Sequence, residues 1–255
     1  MNNEQTTAQT TPPAAEYLNI SFCIIARKAD AGWMPQLLKS LPKGGEVCIL
    51  WNQQGEYEEF TTEEPKQLPD GTVMRYASWT YTGMFDFSEA RNLCIGSASR
   101  GWIMWLDADD RLLPHQHSVL RSLDETYPAG VGGLTCALVG VNPPTPGNEK
   151  GQVYGIPHLR IFRNHHNFQF RGRCHEQILP SILEQGFQYL PSPVVVHHVG
   201  YEVDESVMVE KMLRNTRLLA QMFAHDEYPD RAFVARMLHR DLQNYLALTH
   251  TPIKE

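Results

Sequence analysis

The 255-residue chain is long enough for one large domain or two small ones, and its 42% hydrophobic and 10% aromatic content suits a globular protein with a sizeable core. With 22 basic against 29 acidic residues, a net charge of −7, it has no electrostatic footprint for general nucleic-acid binding or for an anionic membrane surface. Five cysteines, Cys23, Cys48, Cys94, Cys136 and Cys174, stand singly and mostly within apolar runs, which reads as buried free thiols in a reducing compartment and excludes a thiolate zinc site.

Residues 1–16, MNNEQTTAQTTPPAAE, are polar, with neither a basic n-region nor an apolar h-region, and predict a disordered tail rather than a secretion signal. No run approaches the roughly 18 apolar residues of a membrane span, so the expected location is cytoplasmic. Residues 20–25 (ISFCII) predict a buried strand, followed by a helix from near Pro35 with Leu37, Leu38 and Leu41 inward. A second strand spans 47–51 and ends at Asn52. The acidic segment 53–70 reads as an irregular surface connection with at most one helical turn. A third strand covers 72–76. Ser88 is the expected cap of a helix with Ala90, Leu93, Cys94 and Ala98 on one face.

That helix leads into WIMWLDADDR, residues 102–111, where five apolar residues run straight into Asp107, Asp109 and Asp110. An apolar run without alternation suits a strand buried on both faces of a parallel sheet, and strand, helix, strand in this order is a βαβ unit. Ligands of open α/β sheets bind beyond the carboxyl ends of the strands, where these acids would lie. Like charges so close need a cation, and oxygen ligands suit Mg²⁺ or Mn²⁺, whose shell a substrate phosphate often completes.

In the second half, strands are expected at 131–139, 153–163 and 194–199, with the turn-rich loop NPPTPGNEKG (142–151) between the first two and a helix or turn at 180–185. Two helices close the chain. The first has Val209, Met212, Leu213, Ala220 and Phe223 aligned; the second, from near Asp230, has Val234, Met237, Leu238, Leu242 and Tyr245 aligned. His197 and His198 end the last strand, and one imidazole beside carboxylates favours Mn²⁺ over Ca²⁺. Residues 171–177 (RGRCHEQ) are the densest polar run of this half. Glu176 there can act as a general base, and Arg163, Arg171 and Arg173 can offset a leaving diphosphate. Arg91 and Asn92 can line the same cleft. Lys211, Arg214 and Arg217 form a basic stripe, the pattern of a solvated helix face that can also steer an anionic acceptor.

FDFSEARNLCIGSASRGWIMWLDADDRL resembles the central motif of family 2 glycosyltransferases, and RIFRN, RGRCHEQ, HHVGY and KMLRNTRLL follow in the same order as in that family. Over roughly residues 19–220 the succession is similar to the branch of peptide S-glycosyltransferases, tetratricopeptide-tailed glycosyltransferases and lipopolysaccharide-core glucosyltransferases.

The resemblance implies a GT-A fold: an α/β, mostly parallel, Rossmann-like sheet flanked by helices. The expected division is a tail (1–16), a GT-A domain (17–204) and a C-terminal helical extension (205–255) packed on that domain. It further implies inverting transfer from a nucleotide-sugar donor, a UDP-sugar first among them, with Mn²⁺ or Mg²⁺. Asp107, Asn52, Arg91 and Arg173 would contact the donor, and Asp109 and His198 would hold the metal with Asp110 assisting. Glu176 would be the base, with His175 its orienter or substitute. The sequence departs from the family at Asn52, where relatives carry an acid, and at ARKAD, which lacks the usual N-E pair. No tetratricopeptide repeats follow the two helices, so an acceptor-selecting module is expected to be absent or supplied by a partner. The acceptor stays open among glycan, peptide and modified nucleobase; a transferase acting on nucleic-acid bases and a non-catalytic nucleotide-sugar or glycan-binding module are the alternatives.

Overall fold

A computed structural model describes residues 17–142, 152–199, 205–225 and 230–249. Its first half alternates apolar strands with amphipathic helices: β1 (Ile20–Ala26), α1 (Met34–Ser40), β2 (Glu46–Gln54), β3 (Glu59–Thr62), β4 (Lys66–Gln67), β5 (Val73–Tyr81), α2 (Phe87–Gly96), β6 (Trp102–Asp107) and β7 (Asp110–Leu112). There follow α3 (His117–Arg121), α4 (Leu123–Thr126), β8 (Val131–Asn142), β9 (Gln152–Arg163), α5 (Leu179–Glu184), β10 (Gln188–His198), α6 (Glu205–His225) and α7 (Arg231–Thr249).

One sheet runs in the order β3-β5-β2-β1-β6-β9-β8-β10-β7, with β4 also on β5. The central strands β5, β2, β1 and β6 are parallel, β9 inserts antiparallel between β6 and β8, and β10 lies parallel to β8. Trp102, Met104 and Leu106 of β6 enter the core on one face, with Leu37 of α1 and Leu120 of α3, while Ile103 and Trp105 enter the other, with Ala90 and Cys94 of α2. Burial on both faces is why this strand reads as a continuous apolar run. All five cysteines are buried and unpaired.

The α/β architecture with flanking and C-terminal helices is the expected one, and four local expectations change. Residues 53–70 hold two strands, β3 and β4, antiparallel to β5, rather than a helical turn. They are edge strands with exposed side chains, so they carry no apolar alternation. The cap of α2 is Asp86, not Ser88: its carboxylate accepts the Glu89 amide (3.1 Å) and the Ser88 hydroxyl (2.8 Å), a stronger acceptor at the positive helix end. In α6 the buried apolar residues among those described are Leu218, Leu219 and Met222, with Asn215 also buried, while Ala220 and Phe223 are exposed, because the helix docks on Cys174 and on Val234 of α7. In α7 Val234 is buried as expected, but Leu242 is exposed. The tail 1–16, most of the 142–151 loop, and Gly200 and Tyr201 of the HHVGY motif lie outside the described residues.

Candidate active site

At the carboxyl end of β6 the chain turns sharply, and the Asp107 amide donates to Asp110 Oδ2 (2.8 Å) across the turn. Asp110 then opens β7, which pairs antiparallel with β10 so that Asp110 stands opposite His198. Asp110 is fully buried. Its Oδ1 lies 2.9 Å from His198 Nδ1, and His198 Nε2 lies 3.5 Å from Asp109 Oδ2. The Val199 amide bonds the Asp109 carbonyl (3.0 Å), tying the acid turn to the end of β10. Asp107, Asp109, Asp110 and His198 each offer a ligand atom within 4.8 Å of the others.

Two buried arginines line this cluster. Arg160 of β9 donates from Nη1 to Asp110 Oδ2 (3.0 Å) and from Nη2 to Asp107 Oδ2 (3.4 Å). Arg91 of α2 donates from Nη2 to Asp107 Oδ1 (2.8 Å) and from Nε to Glu176 Oε1 (2.5 Å). Both guanidinium carbons stack on Trp105, at 3.7 Å for Arg160 and 3.8 Å for Arg91.

The carboxylates are driven apart electrically. Burial alone would raise Asp107, but Arg91 and Arg160 outweigh it and hold that carboxyl far below the usual range. At Asp109 burial wins: with Asp107 and Asp110 beside it, burial pushes the carboxyl up to about 6 against the opposing charges of His198 and Lys211. Burial lowers His198, but the bond to Asp110 and the charge of Asp109 outweigh it and leave the imidazole raised. A carboxylate and an imidazole nitrogen converging in this way fit a divalent cation with mixed oxygen and nitrogen ligands. Asp110 has both oxygens engaged by protein donors, so it supports His198 from behind.

Residues 171–177 form a tight loop closed by reciprocal backbone bonds between Arg171 and Gln177, both 3.0 Å. Gly172 (φ 96°) and His175 (φ 56°) take left-handed conformations inside it. Cys174 is buried against α6 and α7, and burial pushes its thiol up to about 12. Glu176 faces Arg91, whereas His175 faces away from the acid cluster, its Nε2 2.8 Å from Asp241 Oδ2 of α7.

The other expected residues are distributed as follows. Asn52 is buried at the end of β2, donating Nδ2 to the Ala26 carbonyl (2.8 Å), and its Oδ1 is buried without a partner. Asn92 holds Phe170 through both amide atoms and is structural. Arg173 bears on Glu89 at the start of α2, where its charge opposes a rise caused by burial and by Asp86 and Glu58. Arg163 lies opposite Trp102, at the far end of β6 from the acids, and binds the carbonyls of Val131, Tyr127 and Pro128. Arg171 forms a two-bond pair with Glu184, each 2.6 Å. The expected diphosphate arginines Arg163 and Arg171 thus serve the fold. Of the basic stripe, Arg217 is exposed, while Lys211 acts on Asp109 and Arg214 stacks on Phe87 at 5.1 Å. Sequence reading missed Arg160, Asp241 and the role of Trp105.

Fold and site together define an α/β protein with a cluster of three carboxylates and a histidine, a donor set that could hold a metal ion, beyond the carboxyl end of a central strand. No family model matches the chain. A TPR repeat-containing protein of Synechococcus elongatus is 28% identical over 202 residues, covering 74% of this chain and 44% of that protein. The chain thus spans less than half the length of the curated relative it matches. Among solved structures, the mannosyltransferase PcManGT from Pyrobaculum calidifontis, in complex with GDP-Man and Mn²⁺, is similar at 10% identity with a TM-score of 0.48, over 98% of this chain and 80% of that one. S. aureus TarS 1-349 in complex with UDP is similar at 11% identity with a TM-score of 0.43, over 90% of this chain and 72% of that one. No helix among the described residues is long and apolar enough to cross a membrane.

Proposed function

We propose that the chain is a metal-dependent, inverting glycosyltransferase of family 2 with a GT-A fold, moving a sugar from a nucleotide donor to a hydroxyl or thiol. The observation that carries the reading is the convergence of Asp109 Oδ2 and His198 Nε2 at 3.5 Å, with Asp110 behind the imidazole, at the end of β6. The ordered motifs of the sequence support it. Asp109 and His198 would hold Mn²⁺ or Mg²⁺, which when bound supplies charge stabilisation to a departing diphosphate.

The chain's own residues do the rest. Asp107, kept ionised by Arg91 and Arg160, accepts hydrogen bonds from donor hydroxyls. The amide of Asn52 at the end of β2 can both accept and donate, which keeps uracil, and so a UDP-sugar, the first donor class. Arg173 and Lys211 add positive charge near the donor's phosphates. Glu176 takes the acceptor's proton as the acceptor atom bonds the anomeric carbon. The bond to the diphosphate breaks in the same step and its electron pair leaves with the nucleotide, so the configuration inverts without a covalent intermediate.

The test is nucleoside diphosphate release from a panel of UDP- and GDP-sugars with Mn²⁺. Turnover of at least one donor, lost with chelator and in Asp109→Ala, is the expected result. Turnover indifferent to both, or nucleotide binding with no turnover of any donor or acceptor, would overturn the reading, the second outcome in favour of a binding module.

A further inference from the structure

We infer that Asp241, on the last helix of the described chain, is a positioning residue for Glu176 and acts on it through His175. The inference rests on the base assignment above.

Among the described residues His175 is the single non-glycine with a positive φ, at 56°. A side chain with a Cβ holds that conformation only where its surroundings over-determine it, and such residues gather at functional sites. Here the surroundings are specific. The imidazole Nε2 sits 2.8 Å from Asp241 Oδ2, Arg240 Nη2 approaches the same nitrogen at 3.0 Å, and the Gln177 side chain donates to the His175 carbonyl at 3.1 Å. On its other flank Cys174 is buried among Leu218, Leu219, Met222 and Val234. The left-handed turn sends two consecutive side chains in opposite directions, His175 into α7 and Glu176 to Arg91 and thence to Asp107.

Asp241 is unusual for a helix docked on a surface. It is buried, although carboxylates leave water at a cost unless they are paired, and its partners are His175 and its neighbour Arg240. Burial would raise its carboxyl, but His175 and Arg240 hold it low, so a charged group is kept where α7 meets the loop. The arrangement gives α7 a mechanical connection to the reacting carboxylate. Displacing a base by about 1 Å costs roughly 100-fold in rate.

The experiment compares Asp241→Ala, Asp241→Asn and Asp241→Glu with the parent, alone and in a His175→Gly background, by transfer kinetics, donor binding and urea unfolding. Glycine takes the left-handed turn without strain. The Ala and Asn variants are expected to lower kcat roughly 10- to 100-fold while donor Kd and KM stay within about twofold. The Glu variant should recover part of that loss, and Asp241→Ala should add nothing once His175 is Gly. Loss of kcat that is equally large in the His175→Gly background, or unchanged kcat in Asp241→Asn, overturns the inference. If the parent turns over no donor, the proposed function fails separately. Non-additive unfolding free energies for His175→Gly and Asp241→Asn still report the anchor, and additive ones dispose of it.

Discussion

Asp110 and His198 face one another across the β7 and β10 pair, with Oδ1 2.9 Å from Nδ1, so a buried carboxylate fixes the imidazole that presents Nε2 to Asp109. The two residues are 88 positions apart, and Arg160 and the Asp107 amide hold the other oxygen of the same carboxylate. The second acid of the D-A-D-D cluster therefore differs in kind from the third: burial and its acidic neighbours raise Asp109, and Asp110 has both oxygens engaged by donors.

Replacing Asp110 by Asn is expected to weaken Mn²⁺ binding about 10- to 100-fold, the usual effect of losing a carboxylate behind a metal-binding histidine. Asp109→Ala should remove binding. Titration calorimetry with Mn²⁺ measures both, and parent-like affinity in Asp110→Asn would rule out the supporting role.

Arg160→Met should destabilise the fold by about 3–5 kcal/mol, because it leaves Asp107 and Asp110 short of a buried partner. Arg160→Lys should recover little, since an ammonium cannot bridge two carboxylates while lying flat on Trp105. Urea unfolding of the three proteins checks the order, and a loss below about 1 kcal/mol in the Met variant would show that the guanidinium is dispensable.

Glu46 gives a pH prediction away from the site. It is fully buried at the start of β2, accepting from Ser21 (2.5 Å), Arg75 (2.6 Å) and Ser99 (2.7 Å). Burial pushes its carboxyl up, but these donors outweigh it and the net direction is below the ordinary 4.5. A depressed folded value stabilises the protein above the unfolded value, and that stability is lost as pH falls through the folded one. Glu46→Gln should cost about 1–3 kcal/mol at neutral pH and flatten the acid limb of a stability-against-pH curve. Parallel acid limbs for parent and variant would contradict this.

Glu176→Gln should lower transfer by roughly 100-fold or more and leave donor affinity unchanged, as expected for a lost general base. Arg91 keeps Asp107 as a partner in that variant, so the donor side stays assembled. Unchanged turnover would take Glu176 out of the mechanism.

How much of this was legible before the structure follows from where each signal lies. The run from Trp102 to the acids was readable because burial on both faces and an abrupt change to charge leave a local mark. β1 and β2 are legible through the same burial, and α2 through its one-sided apolar spacing. The strands β3 and β4 leave none, being short, exposed and charged. Arg160 is one charge within an expected strand, and only the placement of β9 beside β6 sets it against Trp105 and the acids. The sequence of α6 offers two apolar stripes at helical spacing, and docking on Cys174 and Val234 selects the one with Leu218, Leu219 and Met222. Asp241 carried no signal at all: a single acid on a polar helix becomes informative only when His175 is found against it.

The parallel centre and the antiparallel edge of the sheet divide the carboxylate and histidine cluster by time as well as by space. Its aspartates leave the ribosome with β6, and its histidine emerges only with the last residue of β10, at position 198. A nascent chain halted anywhere between them has the acids but no imidazole, and β7 has no strand to pair with. If the proposed cation binds there, its affinity would be acquired only when β10 pairs with β7, and the ion would stabilise only chains that have completed that pairing.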